Sequence, residues 1–330
     1  MNLSDDSFAI ILLCTSLTNK DTDLNFKPFT IAQWNKLTER LIKNKYTPKN
    51  LFNLSDDIFM DVLHLTKDEV ERIKFLLSHS GQLSLALYNL DLKGIKIVTR
   101  ADAEYPQIYK RKLKKYAPPV LYYCGNLSLY DKEGISIVGS RNIDEKGLLF
   151  TKKLAQKLVN DGYTIVSGGA RGVDYTAESS TLEHNGKMIV VTADSMSKKI
   201  TDKDTRNAII KGNCLVVSPF HPDEHFKSYN AMDRNKYIYA ASKYSIVVSS
   251  DYKKGGTWTG AIENYKKQWS KIGVRYTDIN MPLGNEKLLE LNNVIKIDEK
   301  FLDNSNLKIN DIFENQNFAA ACSNQLKIFN

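Results

Sequence analysis

The sequence predicts an α/β protein: a doubly wound, mostly parallel sheet preceded by a small all-helical domain. Three observations carry this expectation. Residues 1 to about 90 repeat apolar side chains at three- and four-residue steps. From about residue 130 the texture changes to short β-branched runs separated by helical stretches, and glycine-rich turns stand where runs give way to helices. At 330 residues the chain has room for one sizeable core and a smaller second unit. The expected boundaries are a helical domain over 1–90, a sheet domain over 91–298 and a short polar, Asn-rich tail over 299–330.

Along the chain, the apolar run Phe8 to Leu13 is too short to span a bilayer, and Asp5 and Asp6 stand where a signal peptide carries positive charge, so it reads as a core helix. Ile31, Trp34, Leu37 and Leu41 mark a second helix, and Val70, Ile73, Leu76 and Leu77 another. Helix starts are read at Ser55-Asp56-Asp57 and at Thr66 to Glu69, a capping-box pattern. Strands are expected over 135–138, 164–167, 188–192, 214–218, 245–249 and 294–297. Helices are expected between them, over 145–160, 173–184, 205–211, 236–242 and 256–269. Strands that are apolar throughout are buried on both faces, and alternation with helices requires parallel pairing through crossovers. The expected architecture is therefore an extended Rossmann-like sheet.

Lys and Arg total 46 against 38 Asp plus Glu, a formal charge of +8 that suits a polyanionic partner without requiring one. Eight cations (Lys93, Lys96, Arg100, Lys110, Arg111, Lys112, Lys114, Lys115) and two acids (Asp102, Glu104) fall between residues 93 and 115, a run that reads as a solvated surface. Cys14, Cys124, Cys214 and Cys322 form no CxxC pair, which points away from a zinc ribbon or a disulfide framework and fits a reducing cytoplasm. The helical domain carries no cluster of polar residues that could converge on a substrate and reads as a docking or scaffolding module.

In an open α/β sheet, ligands bind beyond the carboxyl ends of the strands. Three loops there are distinctive: Val138-Gly139-Ser140-Arg141, then Ser167-Gly168-Gly169-Ala170-Arg171 leading to Asp174, then Lys253-Lys254-Gly255-Gly256-Thr257. Glycine lets backbone N–H groups approach an anion, a helix N-terminus favours negative charge, and arginine matches phosphate with a planar fork. A fourth stretch, Met232-Asp233-Arg234-Asn235-Lys236, is expected to open a helix towards the same edge, flanked by Tyr229 and Tyr237 as stacking surfaces.

Several chemistries are disfavoured. Gly139 is followed by Ser140, Arg141 and Asn142 rather than by the GxGxxG of dinucleotide binders, and no GxxxxGK[ST] stretch is present. His221 and His225 are separated by Pro222, which breaks the helical spacing of a metal pair. No Ser/His/Asp set can be singled out, so the chain is not expected to be an enzyme, nor to need a cofactor or metal.

Taken together, Ile137 to Arg141, Ser167 to Asp174, Arg234-Asn235-Lys236 and Gly255 to Thr259, in that order, resemble the DNA-processing protein A (Smf) family. Asp102 to Pro106, Pro118 to Tyr122 and Gly125-Asn126 are similar to that family's entry into the sheet, so the resemblance covers about residues 95 to 290. It implies a homodimeric, single-stranded DNA-binding recombination mediator that helps to load a RecA-type recombinase in DNA uptake and recombination. It places Arg141, Arg171, Arg234 and Lys236 on strand phosphates, with Gly139, Ser140, Ser167, Gly168 and Gly169 as donors. The sequence departs from the family at Glu178, where a histidine is usual, and at Lys236, where a second arginine is usual. Two alternatives stand beside this reading. One is a nucleotide sensor or nucleotide-cleaving enzyme of a related Rossmann type, weakened because Lys254 replaces a proline and Glu263 lies six residues after Thr257 instead of three. The other is an interaction module without a ligand.

Overall fold

The computed structural model describes residues 3–18 and 26–314. Cys322 and the end of the expected tail lie outside the described residues. The chain divides into two compact units, residues 1–124 with 217–224, and residues 125–216 with 225–330.

The first unit opens with helices whose starts are written in the sequence. α1 (Asp5–Cys14) is capped by Ser4, α2 (Ile31–Lys43) by a Thr30/Gln33 capping box, and α3 (Lys67–Leu77) by Thr66/Glu69. Trp34, Leu37 and Leu41 form the buried stripe of α2, and Val70, Ile73, Leu76 and Leu77 that of α3. After α4 (Ser80–Leu92) come β1 (Lys96–Thr99), α5 (Gln107–Leu113) and β2 (Val120–Gly125), with β1 antiparallel to β2. The Asp102 carboxylate accepts the Thr99 amide at 2.7 Å and the Ser7 hydroxyl, and the Tyr105 hydroxyl donates to the Pro118 carbonyl at 2.7 Å. These two residues of the family-like segment thus fix the turn between the strands.

The second unit carries β3 (Gly134–Gly139), α6 (Glu145–Asn160), β4 (Thr164–Ser167), α7 (Val173–Glu183), β5 (Lys187–Val191), α8 (Met196–Thr201), α9 (Lys203–Ile210), β6 (Cys214–Ser218), α10 (Ser228–Ala240), β7 (Tyr244–Ser249), α11 (Gly255–Lys267), β8 (Lys271–Arg275), α12 (Leu283–Leu289), β9 (Ile295–Ile297), α13 (Glu299–Asp303) and α14 (Ile309–Glu314). Its strands run in the order β6-β5-β4-β3-β7-β8-β9. The chain starts at β3, steps outward one way through β4 and β5, then returns to the other side of β3 for β7, β8 and β9, with parallel pairing in each of these ladders. This is the expected doubly wound, mostly parallel sheet, and it puts the topological switch point between β3 and β7.

Three strands escape the sequence reading. β1 and β2 form a short antiparallel pair, β1 within the charged run read as a solvated surface and β2 within the segment similar to the family's entry into the sheet, and β8 breaks its apolar pattern with Lys271, Gly273 and Arg275. Gly273 is required there, because a Cβ would come within about 3 Å of Ile297 and Phe313. α10 begins at Ser228, well before the expected start at Lys236, so Arg234 lies inside the helix rather than opening it.

Asn285 holds the ends of β7 and β8 together. Fully buried, it accepts the Ser250 amide at 2.8 Å and donates at 3.0 Å to the carbonyls of Val248 and Arg275. Asn285→Ala leaves three backbone groups unsatisfied in a dry site, and urea denaturation is expected to show a loss of about 3 kcal/mol. A loss below about 1 kcal/mol would contradict this role.

Candidate anion-binding site at the switch point

In a doubly wound sheet the strands on either side of the reversal send their following loops apart, which opens a crevice. Here the loop after β3 and the loop after β7 flank a cavity of about 450 Å³ lined by Gly139, Ser140, Arg141, Asp174, Phe226, Ser228, Arg234, Asn235, Asp251, Lys254, Gly255, Gly256 and Thr257, among others. The structure therefore brings together the first loop, the third loop, Ala170 and Asp174 of the second loop, and one side of α10. Ser167, Gly168, Gly169, Arg171, Lys236 and Lys253 do not line the cavity.

Helix N-termini give the cavity its electrostatic character. α6 caps its own start, since the Asp144 carboxylate accepts the Gly147 amide at 2.9 Å. α10 and α11 have no side-chain cap, and their first residues, Ser228 and Gly255 to Thr257, line the cavity. Uncapped first-turn amides and the positive ends of two helix dipoles are donors in search of an anion. The Asn235 amide donates to the Gly256 carbonyl at 3.0 Å and so fixes the start of α11 against α10.

Two exposed cations stand at this cavity, Arg141 and Lys254, and neither pairs with a carboxylate among the described residues. The Arg141 guanidinium lies 4.9 Å from the centroid of Phe226, which is 52% exposed. The aromatic at the cavity is thus Phe226. Of the two tyrosines suggested by the sequence, Tyr237 is core and Tyr229 is exposed but outside the lining.

Arg234 is buried. It donates to the Val191 carbonyl at 3.1 Å and lies 3.9 Å from the Asp174 carboxylate, while its Nε finds no partner among the described residues. Burial lowers its pKa, opposed by Asp174 and Glu178. Burial likewise pushes the Asp174 carboxyl up from 3.8 to about 6, against the pull of Arg234 and with the repulsion of Glu178. A Cβ on Gly168 would fall 1.3 Å from the Arg234 Nη1, so only glycine leaves room for the guanidinium.

The second loop turns its amides inward. Gly169 N–H donates to Glu178 at 2.9 Å, Ala170 N–H to Asp174 at 3.3 Å, and Gly168 N–H also supports the Asp174 carboxylate. Glu178 is 3% exposed and its other oxygen accepts from Lys199 Nζ at 2.7 Å. The acid that departs from the family pattern is therefore an internal brace for the loop, neutralised by a lysine that sequence reading did not connect with it. Lys236 pairs with Asp233 at 2.5 Å, Arg171 is exposed, and Lys253 Nζ lies 5.0 Å from the Tyr252 ring centroid. Phe226, Ser228 and Asp251 were missed because nothing in their local pattern marks a loop as facing a ligand.

Among the described residues no group of His, Cys, Asp and Glu is placed to hold a metal ion, and no helix is long and apolar enough to cross a membrane.

Fold and site define a Rossmann-like protein whose switch-point crevice is lined by Arg141, Lys254 and two uncapped helix starts. The chain belongs to the DNA recombination-mediator protein A family, whose profile matches residues 96–291. Protein Smf of Synechocystis sp. is 32% identical over 178 residues, 52% of this chain and 44% of that protein. DNA processing protein DprA of Streptococcus pneumoniae is 31% identical over 144 residues, 43% of this chain and 51% of that protein. The chain thus spans about half the length of these two relatives. The X-ray structure of DNA processing protein A from S. pneumoniae shares the fold with a TM-score of 0.66 at 20% identity, covering 90% of this chain and 95% of that one. The structure of DNA processing protein A from Helicobacter pylori, described for its unique single-stranded DNA binding mode, has a TM-score of 0.51 at 23% identity over 70% of this chain and 96% of that one.

If Glu178 braces the second loop, Glu178→Ala leaves Lys199 without its partner and frees the Gly169 amide. Thermal or urea denaturation is expected to show a loss of about 3 kcal/mol. A neutral substitution would contradict the brace.

Proposed function

We propose that this protein binds single-stranded DNA by its backbone phosphates in the switch-point crevice, without catalysis, and serves as a recombination mediator that acts as a homodimer beside a RecA-type recombinase. The observation that carries the binding step is the convergence of two uncapped helix N-termini with Arg141 and Lys254 on one cavity. Family membership and the single-stranded DNA binding described for the H. pylori protein support the choice of ligand. Arg141 and Lys254 supply charge, the amides of Gly255 to Thr257 and the Ser140 hydroxyl supply directed donors, and Phe226 offers an exposed ring to a base. Of the residues singled out in the sequence, Gly139, Ser140, Arg141, Arg234, Asn235, Lys254, Gly255, Gly256 and Thr257 form this proposed contact set. Ser167, Gly168 and Gly169 act behind it. Arg171, Lys236 and Lys253 are assigned no phosphate. Nothing in the sequence resembles a helix-turn-helix or a zinc finger, so binding is expected to be indifferent to base sequence.

The test is an equilibrium titration of a labelled oligonucleotide at several salt concentrations, with double-stranded DNA and nucleoside monophosphates as competitors. Each lost phosphate contact lowers the slope of log affinity against log salt by about 0.7 for a single strand. Arg141→Ala and Lys254→Ala are each expected to show that decrement. Absence of binding at low salt, or monophosphates competing as well as the oligonucleotide, would overturn the reading.

Asp174 makes the affinity pH-dependent. Below about pH 6 its carboxyl is neutral and no longer offsets the Arg234 charge, which favours an anion in the crevice; above it the carboxylate offsets that charge. Affinity is therefore expected to fall as pH rises through about 6, and Asp174→Asn to abolish the step. The other titratable or charged groups facing Asp174 are Glu178, braced by Lys199, the buried Tyr239, and Arg234 itself. A step that survives in Asp174→Asn would assign it elsewhere.

A further inference from the structure

The first unit carries a cluster of cations at the end of α5 and in the turn after it. Lys110, Arg111 and Lys112 occupy the last turn of α5, and Lys114 and Lys115 follow in the single 3₁₀ turn Lys114–Tyr116. Among the described residues no carboxylate pairs with Lys110, Arg111, Lys114 or Lys115. Lys110 Nζ lies 5.4 Å from the ring centroid of Tyr105, and Lys115 Nζ lies 5.5 Å from that of Tyr116, which is 48% exposed. Burial, with repulsion from Arg111, lowers the pKa of Lys112 to about 8.

The carboxyl end of α5 explains part of this run, because cations in a last turn complement the helix dipole. It does not explain Lys114 and Lys115, which lie beyond the helix. Nor does it explain the backbone of Lys114, at φ 53° and ψ −121°, a conformation that glycine adopts freely and a lysine adopts with strain. The turn is held in place: the Asn35 side-chain amide donates to the Lys115 carbonyl at 2.7 Å, and the Arg100 guanidinium donates to the Asn35 carbonyl oxygen at 2.9 Å. Two neighbouring elements thus support a turn that presents lysine where glycine would be easier.

We infer that the α5 end and the turn after it, with Arg111, Lys114 and Lys115, form a second surface for nucleic-acid backbone phosphates, separate from the switch-point crevice. The inference rests on the proposed strand binding and adds a second set of contacts to it. Tyr116 gives the surface an exposed ring beside the cations, the pairing of charge and stacking face that single strands use.

The test compares salt-dependent titrations of an oligothymidylate of about twenty nucleotides for the wild type, Lys114→Gly, the triple variant Arg111→Ala/Lys114→Gly/Lys115→Ala, and Arg141→Ala. Lys114→Gly removes a cation while relieving the backbone, so its melting temperature is expected to be unchanged or higher while its salt slope drops by about 0.7. The triple variant is expected to lose about 2 in slope and at least about tenfold in affinity at low salt. Full affinity and slope in the triple variant, with Arg141→Ala still weakened, would overturn this surface and leave the crevice standing. Loss in the triple variant with none in Arg141→Ala would overturn the crevice and keep the surface. No binding by the wild type would overturn both.

Discussion

One buried charge organises the second unit. Arg234 reaches from α10 into the space left by the missing side chain of Gly168, to the Val191 carbonyl and beside Asp174. Taking a guanidinium out of water costs several kcal/mol unless it is well paired. Here the pairing is incomplete, with one hydrogen bond, a carboxylate at 3.9 Å whose own ionisation burial opposes, and an unpartnered Nε among the described residues. The fold thus keeps positive charge in the wall of the crevice at some expense to itself. In the proposed reading, an arriving phosphate would offset part of that expense.

The topology explains how three similar loops come to have different tasks. The loops after β3 and β7 straddle the reversal of strand order and are left open, and they line the cavity together. The loop after β4 lies one strand away and is turned inward onto Asp174 and Glu178. Its Gly172 backs directly against the first loop, where a Cβ would stand 2.5 Å from the Ser140 carbonyl oxygen. The inward loop therefore works as a buttress, and the two outward loops and α10 supply the donors.

Much of the fold was legible in the sequence because its signals are local. Helix starts at Thr30 and Thr66, the stripes of Trp34 to Leu41 and Val70 to Leu77, and the apolar runs of β3 to β7 all follow from patterns a few residues long. What escaped depends on partners distant in the chain. β8 hides its strand character in a buried Arg275 that lies 3.8 Å from Asp144 and over the Phe150 ring. The crevice was half legible: glycine and arginine marked the loops, but which amides face outward is decided by Glu178 and Lys199, 21 positions apart. Ser228 opens α10 ahead of its charged segment and Phe226 precedes the helix, and neither position carries a local sign of lining a crevice.

The central claim is that strand phosphates enter the crevice between the β3 and β7 loops. A crystal structure with a short oligonucleotide tests it most directly. The account predicts a phosphate within hydrogen-bonding distance of the Arg141 guanidinium and of at least one amide among Gly255, Gly256 and Thr257. A strand ordered on the outer side of the second loop at Arg171, with the crevice holding no phosphate, would contradict it.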